Sequence, residues 1–233
     1  MTVDWHERYK EQAGWTRQTR GYLLSKVDFA LPKKVLDIGC GTGALFPDFE
    51  KSNLTGIDID RENLRVAIKG DTKKDLVQGD GYHLPFSTGS YDVVFCHYVL
   101  LWVRQPILFL EEMKRVLKPG GCLLLFAEPD YQARIDTPEE QKQIGNLQNA
   151  SLEKQGVDLE TGRKLAGYLE QIGCTKIMTG VVGGEWDRST RSATLEQQVL
   201  RSDLQKIGVE DIMSSDQAGS LTYIPTFYAM AYR

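Results

Sequence analysis

Three aspartates and one histidine stand where they could act on a bound molecule. Asp37 lies two residues before the run Gly39-Cys40-Gly41-Thr42-Gly43, Asp58 follows Gly39 by 19 residues, Asp80 sits in the segment GDGYHLPF (79–86), and His97 interrupts the apolar stretch VVFCHYVLLWV. Glycines lack the Cβ that would keep a ligand away from the backbone. The start of a helix behind such a loop would offer unpaired N–H groups to an anion. Read as Gly39, Gly41 and Ala44, the loop also passes the GxGxxA dinucleotide pattern. Asp58 stands at the distance along the chain where a carboxylate accepts from both hydroxyls of a ribose. Those two features fit a nicotinamide enzyme and any other adenosine-ligand enzyme equally. Asp37 favours the second, because a negative charge aimed into the loop repels a pyrophosphate and suits a cationic amino or sulfonium group. Asp80 is placed to accept from an adenine amino group. A neutral His97 could take a proton from a hydroxyl or amine nucleophile; the other reading is that only its backbone matters. Cys40 and Cys96 read as small residues lining the same pocket, and nothing marks either as a low-pKa thiolate.

These residues need elements to position them, and the chain supplies short apolar runs alternating with helix-like segments. That rhythm implies a parallel sheet covered by helices. Residues 3–13 read as a helix through Trp5, Tyr9 and Ala13, interrupted by Gly14, and residues 16–28 as a second helix closed by Pro32. Strands are expected at 34–38, 54–58, 76–78, 91–96, 122–127, 176–182 and 226–232. A helix is expected at 43–50, directly behind the glycine loop. Asp60 should cap the next helix, with Leu64, Ala67 and Ile68 facing inward and Gly70 as its stop. Residues 105–117 form an amphipathic helix ended by Pro119-Gly120-Gly121. Helices are also expected at 138–155, 159–172 and 193–207. The connection 185–222 is long for a strand-to-strand link, which points to a functional segment or a lid.

Composition bounds the function classes. The 233 residues, 41% hydrophobic and 26% charged, suit one large domain of ordinary globular type. A net charge of −4 disfavours a nucleic-acid binder. The longest apolar runs, 98–103 and 122–127, fall far short of the roughly 20 residues of a membrane span. The polar N-terminus carries no signal-peptide apolar region. Cys40, Cys96, Cys122 and Cys174 form no CxxC pair and read as buried, reduced thiols of a cytoplasmic protein. His6 and His83 lack metal-ligand spacing, so no metal site is expected.

The ordered set DIGCGTG, GIDID, GDGYHLPF, YDVVF and LKPGG resembles the class I S-adenosylmethionine-dependent methyltransferases, over about residues 34–127 plus the last two strands. The likeness is greatest to small-molecule methyltransferases, a group that includes quinone-biosynthesis enzymes. The resemblance implies an α/β, Rossmann-like sheet of seven strands, mostly parallel with the last antiparallel. It implies one domain over 1–233, with 1–32 as a helical lid, 34–127 as the cofactor core and 185–222 as a helical insertion completing the lid. It also implies methyl transfer to an O, N, S or C atom of a small-molecule acceptor, with S-adenosylhomocysteine as product. Carried over residue by residue, Gly39, Cys40 and Gly41 bring backbone to the methionine part and Asp37 orients its ammonium. Asp58 holds the ribose, Ile59 packs on adenine, and Asp80 with the Gly81 backbone meets the adenine amino group. Cys96 and His97 flank the sulfonium. Arg17 or Arg20 reaches the carboxylate, and Trp5, Tyr9 and Trp15 either roof the cofactor or simply pack. By chain order Trp102, Glu128, Tyr131 and Trp186 are candidate acceptor contacts. The alternatives are a non-catalytic cofactor-binding or interaction protein on the same fold and a nicotinamide oxidoreductase. The acceptor and the oligomeric state are not legible in the sequence.

Overall fold

A computed structural model describes residues 4–27, 33–70, 74–182, 200–209 and 221–233. In chain order it contains α1 (Trp5–Trp15), α2 (Arg17–Ser25), β1 (Lys34–Ile38), β2 (Asn53–Asp58), α3 (Arg61–Gly70), β3 (Asp75–Gln78), β4 (Tyr91–Cys96), α4 (Pro106–Val116), β5 (Leu117–Pro129), β6 (Ile135–Thr137), α5 (Glu139–Lys154), α6 (Thr161–Gln171), β7 (Thr175–Val181), β8 (Leu221–Tyr223) and β9 (Thr226–Tyr232). Seven strands form one sheet in the order β3-β2-β1-β4-β5-β9-β7. The pairs from β3 to β5 are parallel, and β9 runs antiparallel to both β5 and β7. The expected fold class is therefore the observed one. β6 and β8 form a separate antiparallel pair that the sequence did not suggest.

Strand alternation builds the two layers of the core. Val35, Val93, Phe95, Leu124 and Phe126 face one layer with Ala13 of α1, Leu23 of α2 and Leu64 of α3. Leu36, Val94, Leu123 and Leu125 face the other with α4 and α6. Successive side chains of a strand point to opposite faces. Asp37 thus shares the face of Val35, and His97 continues the face of Phe95. Both lie on the α1 side, at the carboxyl ends of β1 and β4 where open α/β sheets bind ligands.

Several local expectations are corrected. Gly14 does not interrupt α1, which runs on to Trp15; one exposed glycine costs only about 1 kcal/mol. The expected helix at 43–50 is a series of turns ending in a single 3-10 turn, Phe46–Phe49. Pro47 lacks an N–H and disfavours helical geometry in the residue before it, and β2 begins at Asn53, leaving no room to extend. Ile68 of α3 is exposed while Leu64 and Ala67 are buried. β5 begins at Leu117, directly after α4, rather than at 122. Of the expected helix at 193–207, residues 200–205 are helical and 206–207 form a turn; 193–199, most of 185–222 and Pro32 lie outside the described residues. Among the described residues no helix is long and apolar enough to cross a membrane. No group of three or more His, Cys, Asp or Glu gathers as a metal site among them.

Candidate functional site

The glycine loop is held by β2 rather than by a helix. The N–H groups of Gly39 and Cys40 both donate to the Ile57 carbonyl, at 2.8 and 3.1 Å, and the Gly41 N–H donates to Asp58 Oδ2 at 2.7 Å. Gly39 and Gly41 have φ of 71° and 53°, in the left-handed region that favours glycine. A Cβ on Gly39 would lie 2.6 Å from Val99 Cγ2, and one on Gly41 would lie 3.3 Å from the Tyr9 ring. These two close approaches make glycine necessary. They also remove the basis of the nicotinamide reading: three loop N–H groups are already spent, and no α-helix follows to lend its dipole to a pyrophosphate.

The charge of the site points the same way. Asp37 is 2% exposed. Burial, and then the charge of Asp58, pushes its carboxyl well above the usual range, and no hydrogen bond from the described residues offsets this. Asp58 is itself raised, first by burial, despite the N–H bonds from Gly41 and Asp60. Two carboxylates near each other with no cation between them form a site that a positive group would relieve. Asp60 accepts from the Glu62 N–H at 2.8 Å and so caps α3 as expected. Beyond β2, Ile59 is 70% exposed. Asp80 accepts from the Tyr82 N–H at 2.9 Å and is itself exposed. Gly81 lies against the Phe109 ring with no room for a side chain.

Helix α1 lies across this loop. His6 Nδ1 and Thr42 Oγ1 are 2.9 Å apart, the Tyr9 ring covers Gly41, and Thr16 Oγ1 lies 2.9 Å from His97 Nε2. Burial, and then the Asp58 charge, raises the Tyr9 phenol, which also hydrogen-bonds the Asn63 side chain. His97 is pushed down to about 3, mainly by burial and then by the Arg20 guanidinium. Its ring is therefore neutral at working pH and a weak base. The Cys40 and Cys96 thiols are pushed up by burial, so both are inert walls at neutral pH.

Residues 36–125 match the family described as a methyltransferase domain. The ubiquinone biosynthesis O-methyltransferase of Vibrio parahaemolyticus is 36% identical over 107 residues, 43% of this chain and 46% of that protein. The demethylmenaquinone methyltransferase of Paenarthrobacter aurescens is 32% identical over 120 residues, 50% of this chain and 47% of that one. The chain spans about half the length of the curated relatives it matches. A solved phosphoethanolamine N-methyltransferase 2 of Haemonchus contortus, in complex with S-adenosylhomocysteine, superposes with a TM-score of 0.64 at 15% identity, over 96% of this chain and 57% of that one.

Residues 36–125 are a class I S-adenosylmethionine-dependent methyltransferase domain. Its cofactor is S-adenosylmethionine, and the buried Asp37 carboxylate beside a loop with no room for side chains fits that cationic molecule. The methyltransferase site also redistributes several residues expected to touch ligands. Arg20 is 3% exposed; its Nε donates to Asp48 Oδ2 at 2.6 Å, and Nη1 reaches Ala13 O and Thr16 Oγ1, each at 2.5 Å. It ties α2 to the 46–49 turn and to the end of α1, while Arg17 is exposed. Glu128 is 0% exposed, and its carboxylate is taken by backbone N–H groups of the segment after β4. Trp102 is 51% exposed. Tyr131 packs with Tyr98 against Leu101, Leu152, Val157 and Leu159, beneath α5. Trp186 lies outside the described residues. Sequence reasoning missed Thr16, Thr42 and Val99, whose roles come from contacts across the fold and carry no local signal. Tyr98 had a weak one, an aromatic residue directly after His97.

Proposed function

We propose that this protein transfers the methyl group of S-adenosylmethionine to an O, N, S or C nucleophile of a small-molecule acceptor. The observation that carries this reading is Asp37, a buried carboxylate beside the glycine loop that has no hydrogen bond from the described residues and is pushed well above the usual range by burial and by Asp58. When bound, the cofactor supplies a methyl carbon made electrophilic by its sulfonium. The chain's own part is to hold, align and exclude water. Asp37 orients the cofactor ammonium, the Gly39-Cys40-Gly41 backbone lies along the methionine part, and the lone pairs of Asp58 not used by Gly41 and Asp60 accept from the ribose. Ile59 packs on adenine, and Asp80 with the Gly81 backbone meets its amino group. Cys96 and His97 wall the sulfonium, and α1 roofs the loop through Tyr9. Positioning of this kind can supply up to about 7–11 kcal/mol, so no triad or metal is required.

The whole chain serves as one unit in this reading. The described helices within 1–32 are a cover and 34–127 the cofactor core; Trp102 and Tyr131 border the acceptor. The quinone-biosynthesis relatives and the fold neighbour that acts on phosphoethanolamines support a small-molecule acceptor. The net charge of −4 supports the same choice over nucleic acid, and buried reduced cysteines suit the cytoplasm. Calorimetric titration with S-adenosylhomocysteine, with NADH as control, tests the reading. Micromolar binding of the first alone is expected. Binding of NADH alone overturns it, and cofactor binding without turnover on a metabolite panel favours the non-catalytic alternative.

A further inference from the structure

The segment after β4 is the junction between the cofactor loop and the acceptor side, and one buried carboxylate holds it. The Val99 N–H donates to Glu128 Oε1 at 3.0 Å and the Leu101 N–H to Oε2 at 3.2 Å. The Leu100 N–H bonds the same carboxylate. Beside them the Tyr98 N–H donates to the Ala127 carbonyl at 2.9 Å. These bonds hold Tyr98 at φ 56°, a conformation that an aromatic residue rarely adopts unless its surroundings impose it. They also seat Val99 where only glycine fits at position 39. The β5–β9 register shifts between Leu125 and Glu128; such bulges re-aim a side chain at sheet positions next to functional sites.

We propose that Glu128 is a positioning residue: its carboxylate gathers the 99–101 backbone, fixing Val99 against the glycine loop and Tyr98 against the acceptor side as one rigid wall. The inference rests on the reading that the cofactor lies along that loop. Here one carboxylate serves three consecutive N–H groups that a short 3-10 turn, Leu100–Trp102, leaves unpaired at its start.

The clamp should respond to pH. Burial pushes Glu128 up to about 7, with its N–H donors only partly offsetting the loss of water. The titratable groups facing it are the Cys96 thiol, at 3.8 Å, and the Tyr98 phenol, on which the Arg8 guanidinium also acts. A carboxyl raised in the closed state favours closure when protonated, so the segment should hold best at low pH and open more readily as pH rises through about 7.

Two measurements test this. Hydrogen–deuterium exchange on the full chain, corrected for the intrinsic pH dependence, should show exchange at 97–103 rising between pH 6 and 8 in the wild type. The slope should vanish in Glu128→Gln, which cannot titrate. Calorimetry should show Glu128→Ala binding S-adenosylhomocysteine about tenfold more weakly, because the 99–101 N–H groups then lose their acceptor. A wild type with no extra pH dependence, or a folded Glu128→Ala with wild-type affinity, overturns the proposal. A wild type that binds no S-adenosylhomocysteine sinks the cofactor reading instead, while the exchange profile still decides whether Glu128 clamps the segment.

Discussion

Asp37 places function and stability in opposition at a single residue. Its carboxyl is raised by burial and by Asp58, so ionising it costs the empty fold. Asp37→Asn should raise the melting temperature by about 2–4 °C, the shift that 1 kcal/mol gives in a chain of this size. The same change should weaken S-adenosylmethionine by about 1.5–3 kcal/mol, by loss of a charge-assisted contact. Thermal scanning with and without ligand reads both effects, and unchanged affinity would reject the ammonium role. Asp58→Ala should also weaken the cofactor by about 1.5–3 kcal/mol, with a stability loss as well, because the Gly41 and Asp60 N–H groups lose their acceptor. Cofactor affinity should fall as pH falls, since protonating raised carboxylates removes the charge that a cation needs. His97 belongs here too. A ring pushed down to about 3 and joined to Thr16 is a seat for α1 more than a proton acceptor. His97→Ala should therefore weaken cofactor binding and slow turnover together; loss of kcat alone would restore the base role.

At the scale of elements, α1 is the part whose position carries most consequence. It has few apolar side chains buried, Ala13 being the buried hydrophobic residue. Its hold on this edge is the His6–Thr42 contact with the loop, the Thr16–His97 contact with the end of β4 and the Tyr9 ring packed on Gly41. A helix attached this way opens at low cost, since net hydrogen bonds are worth about 1 kcal/mol each. S-adenosylhomocysteine should therefore protect 5–25 from limited proteolysis, and an unchanged cleavage pattern would count against a roof that closes on ligand. Much of the element pattern was legible because strand runs such as YDVVFC and helix stops such as Gly70 and Gly173 act locally. The helix expected at 43–50 failed for the opposite reason: Pro47 and the early start of β2 set a length limit that apolar spacing does not express.

For the whole molecule, the antiparallel β9 slots between β5 and β7 and brings Glu128 and Phe227 into register. That closure buries the chain from residue 121 to residue 130, the Glu128 carboxylate included. Global stability should carry its mark. An acid held at about 7 when folded and near 4.5 when unfolded stabilises the fold below pH 4.5, and that contribution is lost as pH rises through about 7. Denaturant midpoints between pH 5 and 8 should fall less steeply in Glu128→Gln than in the wild type. Equal slopes would show that the carboxyl is not raised.

The sequence by itself determined the sheet, the glycine loop and the cofactor class, because these depend on residue types at short spacing: a glycine where a Cβ cannot fit, an acid at a strand end, apolar runs of strand length. Only the tertiary structure decided which polar groups are already spent. Arg20 and Glu128 look like ligand contacts along the chain, yet the first is engaged by Asp48, Ala13 and Thr16 and the second by the 99–101 backbone. Asp37 looks like either a strand residue or a ligand and is left with no hydrogen bond from the described residues. A hydrogen bond joins positions tens of residues apart, and no local pattern records whether a donor has found its acceptor.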